Sequence, residues 1–252
     1  MKQLFRKIHR WLGLLMALQI VAWMASGLYF AWFPIETIRG EHLTVGPGPL
    51  TAAHLDGLMA PDQAWRTVAA GQAVAVEPRQ VSLVVREEEP WYRITAVAAG
   101  ESAPFTRMVH ARSGLEAPFL EAAQASRLAE AALRVPGTVR SVELLETVAP
   151  GAEYRGRDLP VWRVSFAEPE SLNLYIDGWT GEVVARRTAR WRIFDFLWML
   201  HIMDFETRDD FNTPLLQVAA ALGLLVALTG VVFWAMTTRL LRRRRMAGLP
   251  QS

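Results

Sequence analysis

The hydrophobic positions of this chain are concentrated in two long runs, one near each end. Residues 11–33 form the first run and residues 214–236 the second, and neither contains a charged side chain. Each run exceeds the roughly 20 apolar residues that an α-helix needs to cross a bilayer. The pattern predicts transmembrane helix 1 over 11–33, transmembrane helix 2 over 214–236, and a separate polar region between them. The first run is also longer than the roughly 7–15 apolar residues of a secretory signal, which favours a retained anchor.

Basic residues flank both runs on their outer sides. Lys2, Arg6, Lys7 and Arg10 precede the first run, and Arg239 and the four arginines at 242–245 follow the second. Because segments rich in Lys and Arg stay on the cytoplasmic side, the basic N-terminus (1–10) and the basic tail (237–252) are both predicted to be cytoplasmic. The chain is then predicted to lie in the bacterial cytoplasmic (inner) membrane, with its central domain in the periplasm.

Two further segments adjoin the spans. Residues 34–60 contain several Gly and Pro residues and are predicted to be a linker that leads away from the membrane. Residues 191–205 are heavily apolar but too short to cross a bilayer unaided. They are predicted to form an interfacial or partly inserted helix on the periplasmic side.

The middle of the chain alternates predicted helices and strands in an order that occurs twice. Helices are predicted over 61–71 and 120–133, and strands over 80–86, 91–97, 106–110, 139–147, 161–166, 172–176 and 183–187. Residues 90–94 resemble residues 160–164, and residues 108–114 resemble residues 175–181. We interpret this as a duplicated α+β unit, with repeat 1 over 61–119 and repeat 2 over 120–190. The alternative is chance similarity among short strands.

Composition removes several classes of function. The net charge of +2 and the pI near 9.3 are explained by the basic ends, which orient the chain and contact anionic lipid, so no nucleic-acid partner is predicted. The chain has no Cys, which excludes disulfides, thiolate-bound clusters and covalently attached c-type haem. The sequence also lacks the motifs that are typical of zinc proteases, serine hydrolases and phosphate-binding loops.

Two histidines next to the apolar segments are the candidates for chemistry. His9 precedes the first span among Arg6, Lys7 and Arg10. It is either an axial haem ligand, with the cations pairing to haem propionates, or an interfacial histidine in a basic collar. His201 lies in the short apolar stretch, where an ionisable side chain is a functional candidate. It is either a second haem ligand oriented by Asp204, or a headgroup-level histidine bonded to Asp204 or to water.

The other polar clusters are predicted to be structural. The acidic residues Glu206, Asp209 and Asp210 could bind a cation together with His201, but the alternative, helix capping before the second span, is favoured because Thr213 and Pro214 follow. The remaining histidines, His42, His54 and His110, show no metal-ligand spacing and are predicted to lie on surfaces or strands.

Five segments of the chain resemble one known family. They are residues 8–14 (IHRWLGL), residues 200–201, residues 227–234 (ALTGVVFW), the predicted hairpin at residues 174–184 (LYIDGWTGEVV) and a degenerate copy of it at residues 109–114. Together they resemble the PepSY-associated transmembrane helix family, and the hairpins resemble PepSY domains. The resemblance implies PepSY-like repeats in the periplasm. It also implies a role like that of the family's siderophore-iron reductases, which hold haem between helices through histidines; here those would be His9 and His201.

Family members typically carry about four spans, whereas this chain shows two. His9 and His201 are predicted at opposite membrane faces, so a single chain cannot hold one haem with both. A homodimer, or pairing with another helical membrane subunit, would give each histidine a partner for a b-type haem. The predicted function is haem-dependent transmembrane electron transfer linked to iron (siderophore) acquisition. The alternatives are a non-enzymatic PepSY binding module that regulates a periplasmic peptidase, and an accessory subunit of a membrane complex.

Overall fold

The chain folds into two compact units. A computed structural model describes residues 2–46 and 48–238; the basic tail with Arg239 and the arginines at 242–245 lies outside the described residues. One unit, the helical unit, comprises the residues before Glu36 and after Trp191, and the other, the α+β unit, comprises Glu36–Trp191.

The secondary structure follows the predicted order. The helices are α1 (Lys2–Trp32), α2 (Ile35–Ile38), α3 (Pro61–Ala70), α4 (Ala122–Ala131), α5 (Ala189–Ile202) and α6 (Pro214–Thr237), with short 3-10 helices at Glu41–Leu43 and Ala52–Leu55. The strands are β1 (Val76–Arg86), β2 (Glu89–Ala98), β3 (Pro104–His110), β4 (Val139–Leu145), β5 (Val161–Phe166), β6 (Asn173–Asp177) and β7 (Val183–Arg187).

Two helices of the helical unit can cross a membrane, as predicted. Within the described residues, Arg6–Trp32 and Pro214–Ala235 pass the requirements of length and apolar composition, and only 11% of the positions in each span are buried inside the protein. The apolar side chains therefore face outward, where lipid solvates them. The two helices lie side by side and run antiparallel, because His9 of α1 contacts Gly230 of α6 while Trp23 contacts Gly223. The protein is a membrane protein.

Helix α5 packs along the C-terminal half of α1. The Phe194 ring lies 4.8 Å from the Phe30 ring. At the other end of α5, Gln19 Nε2 donates to the Leu200 carbonyl (3.1 Å) and Trp23 Nε1 donates to the His201 carbonyl (2.7 Å). The last carbonyls of a helix have no partner within it, so α1 supplies the missing donors. The helix predicted as interfacial therefore extends along α1 as far as Gln19, near the middle of the span.

Residues 203–213 fold back along α5 before α6 begins. Arg208 donates to the nearly buried carboxylate of Asp195 at 2.7 Å, and Trp198 Nε1 donates to the Arg208 carbonyl at 3.2 Å. At the end of the loop, Thr213 Oγ1 accepts from the N–H of Leu216, and Pro214 is the first residue of α6. The predicted cap of the second span is confirmed.

The first half of the α+β unit packs α3 against the sheet β1-β2-β3. All neighbouring strands are antiparallel. Buried and half-buried positions alternate along β2, as in a strand with one face on a core. Tyr92 and Ile94 therefore pack against Ala64 and Val68 of α3.

The second half packs α4 against the sheet β4-β5-β6-β7, which is also antiparallel. Leu174 and Ile176 of β6 join one core, while Tyr175 between them joins a second core with Tyr154. Because both faces of β6 are covered, the strand carries consecutive apolar residues instead of alternating ones.

The turns at the ends of the two meanders correspond closely. The N–H of His110 donates to the Leu115 carbonyl as that of Asp177 donates to the Glu182 carbonyl, both at 2.9 Å. The first half adds only a single bridge, Val109–Glu116, where the second half has the full strand β7. The helix-plus-meander arrangement is thus present twice, and its PepSY-like identity stays a prediction.

The predicted linker is largely packed. Ile38 is 1% exposed and Leu43 joins the core of the second half. Thr44 forms a bridge with Leu133, and the N–H of Val45 donates to the Ala132 carbonyl at 2.8 Å. The glycines and prolines suggested a spacer, but the apolar residues between them hold much of the segment on the α+β unit.

Three arginines of the first half bind the turn at residues 178–182 of the second. Arg86 Nη1 donates to the Thr180 carbonyl at 3.4 Å. Arg93 Nη1 donates to both carboxylate oxygens of Glu182, at 2.8 and 3.0 Å. The Arg107 guanidinium lies 3.8 Å from the centre of the Trp179 ring. We call this set the arginine clamp; it joins the two halves by charge and by cation–π contact.

Gly178 gives a test of how tightly this turn is packed. A Cβ at Gly178 would lie 2.1 Å from Cε2 of Phe119, so the Gly178→Ala substitution must displace the ring. We expect the variant to lose about 1–3 kcal/mol of unfolding free energy, measured by denaturant unfolding of the purified protein. Gly71→Ala is the matched control, because a Cβ there makes only ordinary contacts; equal stability of the two variants would contradict the packing.

Candidate functional site

His9 is held by a hydroxyl of the neighbouring span. Its Nδ1 lies 3.1 Å from Thr229 Oγ1. The Thr229 hydroxyl donates its single proton to the carbonyl of Leu225 or of Val226, at 2.8 and 3.0 Å. The hydroxyl oxygen therefore acts as the acceptor toward His9. Gly230 makes room for the ring, because a Cβ at that position would lie 3.1 Å from His9 Cε1.

His201 is held in the same manner by α1. Its Nδ1 lies 2.7 Å from Ser26 Oγ, and the Ser26 hydroxyl donates to the Ala22 carbonyl at 2.7 Å. Ser26 is fully buried. The His201 ring lies 5.6 Å from the Phe30 ring and is stacked parallel to the Trp198 ring at 6.5 Å.

The hydrogen bonds of the two hydroxyl groups favour the same tautomer for both histidines. Since each hydroxyl proton is donated to a backbone carbonyl, each imidazole donates from Nδ1–H and keeps its lone pair on Nε2. A hydrogen bond from the second ring nitrogen is also how proteins orient metal-ligating histidines. The arrangement thus suits each Nε2 to bind a metal ion or to accept a proton.

The histidines form two separate sites. Ser26, the partner of His201, lies about 25 Å from His9 along α1, at a rise of about 1.5 Å per residue. Trp23 and Met16 lie between these positions, both close to Gly223 of α6. As predicted, the chain does not bring the two imidazoles together.

Asp204 does not have the role that the sequence suggested for it. Helix α5 ends at Ile202, and Asp204 organises the loop that follows. It accepts from the backbone N–H groups of Glu206, Thr207, Asp209 and Asp210 and from the Thr207 hydroxyl. Burial alone would raise the pKa of this carboxyl, but the hydrogen bonds from the Thr207 hydroxyl and the loop backbone dominate and hold its pKa well below the usual range. Ser26, not Asp204, orients His201.

The basic residues around His9 lie against aromatic rings. The Arg6 guanidinium is 5.7 Å from the centre of the Phe233 ring, and that of Arg10 is 5.6 Å from the Trp11 ring. Lys7 is exposed. Their pairing with haem propionates stays a prediction.

The other histidines have local structural roles. His54 Nδ1 accepts from the N–H of Thr51 at 3.0 Å, and His110 Nδ1 accepts from the N–H of Ser113 at 3.1 Å. His42 lies 3.7 Å from Glu170. Among the described residues, no group of three or more His, Asp or Glu side chains is placed to hold a metal ion.

Sequence reasoning missed Ser26 and Thr229. Both are hydroxyl residues within apolar spans, and such residues commonly bond to the carbonyl four positions earlier. That tendency does not predict a second hydrogen bond to a histidine, because the second bond depends on which helices are neighbours. The ion pair between Asp195 and Arg208 was missed for the same reason.

The comparisons with known proteins match the helices and the region between them together. A family model described as "PepSY-associated TM region" matches residues 6–251. The comparisons with curated proteins and with solved structures give no match.

Proposed function

The chain belongs to the family of the PepSY-associated TM region, and from this premise we propose that it takes part in haem-dependent transmembrane electron transfer linked to iron (siderophore) acquisition. The proposal sets the protein in the bacterial cytoplasmic membrane, with both termini in the cytoplasm and the α+β unit in the periplasm. It also takes residues 61–119 and 120–190 as two PepSY-like repeats.

One observation carries the proposal. His9 on α1 and His201 on α5 each form a hydrogen bond through Nδ1 to a hydroxyl of a neighbouring helix, which leaves Nε2 as the ligand atom. A histidine that merely sat at the headgroup level would need no such partner within the protein. The donor set, neutral imidazole with an oriented ring, is the one that b-type haem iron takes.

The proposed roles divide between ligands and orienting residues. A b-type haem would supply one-electron transfer when bound. His9 and His201 would each hold one iron through Nε2, Thr229 and Ser26 would keep the rings in place, and Phe30 would limit access of water to His201.

Each site offers one histidine, so a second axial ligand must come from elsewhere. We propose a homodimer, or alternatively another helical membrane subunit, that sets a second span against α1. A Cβ at Gly13 or at Gly27 would meet nothing within 4 Å, so α1 presents small, open positions on which another helix can pack closely.

The absorption spectrum of the purified full-length protein tests the proposal. We expect a Soret band and, after chemical reduction, the sharpened visible bands of a six-coordinate b-type haem. The expected content is up to two haems per pair of chains, one at each depth. A colourless protein that also fails to bind added haemin would contradict the proposal.

The two orienting hydroxyls give a more specific prediction. Ser26→Ala and Thr229→Val remove the acceptor for His201 and for His9 respectively, and loss of such a partner typically weakens metal binding about 10–100-fold. We expect faster transfer of haem to an apomyoglobin scavenger from each variant. Ser126→Ala is the control, because its hydroxyl bonds Glu130 on α4. Unchanged transfer rates in both variants would exclude the proposed orienting role.

A binding module is the alternative function. β1 and β4 each lie at an edge of their sheets, and an edge strand can pair with an extended peptide. This favours a unit that engages a periplasmic peptidase or a neighbouring subunit. Crosslinking in membranes followed by purification tests it: a peptidase captured by a colourless protein would favour this alternative over electron transfer.

A further inference from the structure

The segment that leads into α5 is strongly basic. Arg186, Arg187, Arg190 and Arg192 fall within seven residues of chain (RRTARWR), immediately before the apolar Ile193 and Phe194. On the predicted topology this basic segment lies on the periplasmic side, where the positive-inside bias does not account for it.

Two guanidinium groups converge on the tryptophan of this segment. Arg187 lies 4.1 Å from the centre of the Trp191 ring and Arg155 lies 6.0 Å from it. Arg187 is anchored through Nε to the Glu153 carbonyl at 2.7 Å, and Arg155 donates from Nη1 to the Ala152 carbonyl at 3.2 Å. The loop before β5 therefore holds both cations at the first turn of α5.

A third arginine adds to the positive charge. Arg157 is exposed and donates to the Val184 carbonyl at 2.9 Å. The nearby carboxylate, Glu153, accepts through one oxygen from Asn173 (2.9 Å) and Tyr175 (3.0 Å). Burial first, and repulsion by Arg157 second, lower the pKa of Arg187 to about 10, although Tyr175 and Glu153 act in the opposite direction.

The position and the chemistry of this cluster suit a lipid headgroup. Tryptophan and arginine are favoured where an apolar helix meets the headgroup layer, with the ring at the boundary and the cation toward phosphate. The guanidinium fork matches phosphate oxygens by paired hydrogen bonds. Arg157 is exposed and Arg155 and Trp191 are half-buried, whereas Arg187 is buried. A ligand can therefore reach the cluster from outside through Arg155 and Arg157.

We propose that Arg155, Arg157, Arg187 and Trp191 form a binding site for the phosphate of an anionic glycerophospholipid. The site is independent of whether His9 and His201 hold haem.

The test measures phospholipid binding by the full-length protein in a neutral detergent. Phosphatidylglycerol is titrated as the probe and its apparent Kd is read from the rise in Tm, with phosphatidylcholine and glycerol 3-phosphate as parallel titrants. We expect tighter binding of phosphatidylglycerol than of phosphatidylcholine, and no competition by millimolar glycerol 3-phosphate. Arg155→Gln and Arg157→Gln are each expected to raise the Kd for phosphatidylglycerol about fivefold.

Matched variants separate a lipid site from general charge and from misfolding. Arg79→Gln removes one exposed cation of β1 and is expected to leave the Kd unchanged. Arg155→Lys keeps the charge and is expected to recover part of the affinity. Equal binding of the two phospholipids, an equal loss in Arg79→Gln, or full displacement by glycerol 3-phosphate would each overturn the proposal. Arg157 is exposed, so Arg157→Gln keeps the test decisive if Arg155→Gln does not fold.

Discussion

On the proposed haem ligation, purified His9→Ala and His201→Ala variants are each expected to lose about half of the bound haem, and the double variant is expected to lose all of it. The reason is geometric, because the two imidazoles lie about 25 Å apart along α1 and belong to separate sites. Loss of one iron ligand then leaves the other site intact. The measurement is the pyridine haemochrome content per chain, read with the Soret absorbance.

The two variants should differ in which haem remains. The measurement uses oriented membrane vesicles. The His9→Ala variant is expected to keep a haem that periplasmic oxidants reach. The His201→Ala variant is expected to keep a haem that cytoplasmic reductants reach. His42→Ala is the control, since His42 lies in the α+β unit near Glu170. Full haem content in both single variants would exclude these residues as ligands, and complete loss in either one would show that the sites are not independent.

Asp204→Ala is expected to destabilise the loop between α5 and α6 by about 2–3 kcal/mol. The Asp204 carboxylate accepts hydrogen bonds from four backbone N–H groups and one hydroxyl of this loop. Its removal breaks all of these bonds at once, and the donors must then bond to water. The loop also carries Arg208, which binds Asp195 of α5. We expect a lower Tm in detergent and faster tryptic cleavage after Arg208. Glu206→Ala is the control, because it removes an exposed charge two residues away.

The same carboxylate gives the stability a pH dependence. Its pKa in the folded protein lies well below the ordinary value near 4, so the unfolded chain takes up the proton first as the pH falls. The contribution of Asp204 is therefore complete above about pH 5 and is lost as the pH falls toward the pKa of the folded state. The difference in Tm between the unmodified protein and Asp204→Ala should be full at pH 7 and smaller at pH 3. A constant difference would contradict the assignment.

The sequence predicted most of the fold because its strongest patterns are local. The length of each apolar run matches the thickness of a bilayer. The start of α3 depends on Pro61, and the start of β7 depends on the preceding Gly-containing turn. The packing of the linker and the course of α5 depend on distant partners, Leu133 in one case and Gln19 in the other. Local patterns do not contain those contacts.

The two histidines of the candidate site could be picked out from the sequence, but the residues that orient them could not. A histidine beside an apolar segment is conspicuous in a sequence, whereas Ser26 and Thr229 look like ordinary residues of a span. Asp204 was chosen as the orienting residue because it is near His201 in sequence. The helix ends before Asp204, and the free N–H groups of the loop compete for its oxygens. The Ser26 hydroxyl of α1 lies 2.7 Å from His201 Nδ1 and is the partner instead.

The arginine clamp has a consequence for whether the turns of the two halves can be exchanged. The positions that correspond to Trp179 and Glu182 in the first turn are occupied by Arg112 and Leu115, and Arg112 there donates to Glu89 and to carbonyls of the segment before α3. If the first turn replaced the second, Arg112 would stand in place of Trp179 beside Arg107. Leu115 would stand in place of Glu182, so Arg93 would lose its carboxylate partner. The two turns are therefore not interchangeable, and a substitution in the second turn must remain compatible with the arginines of the first half.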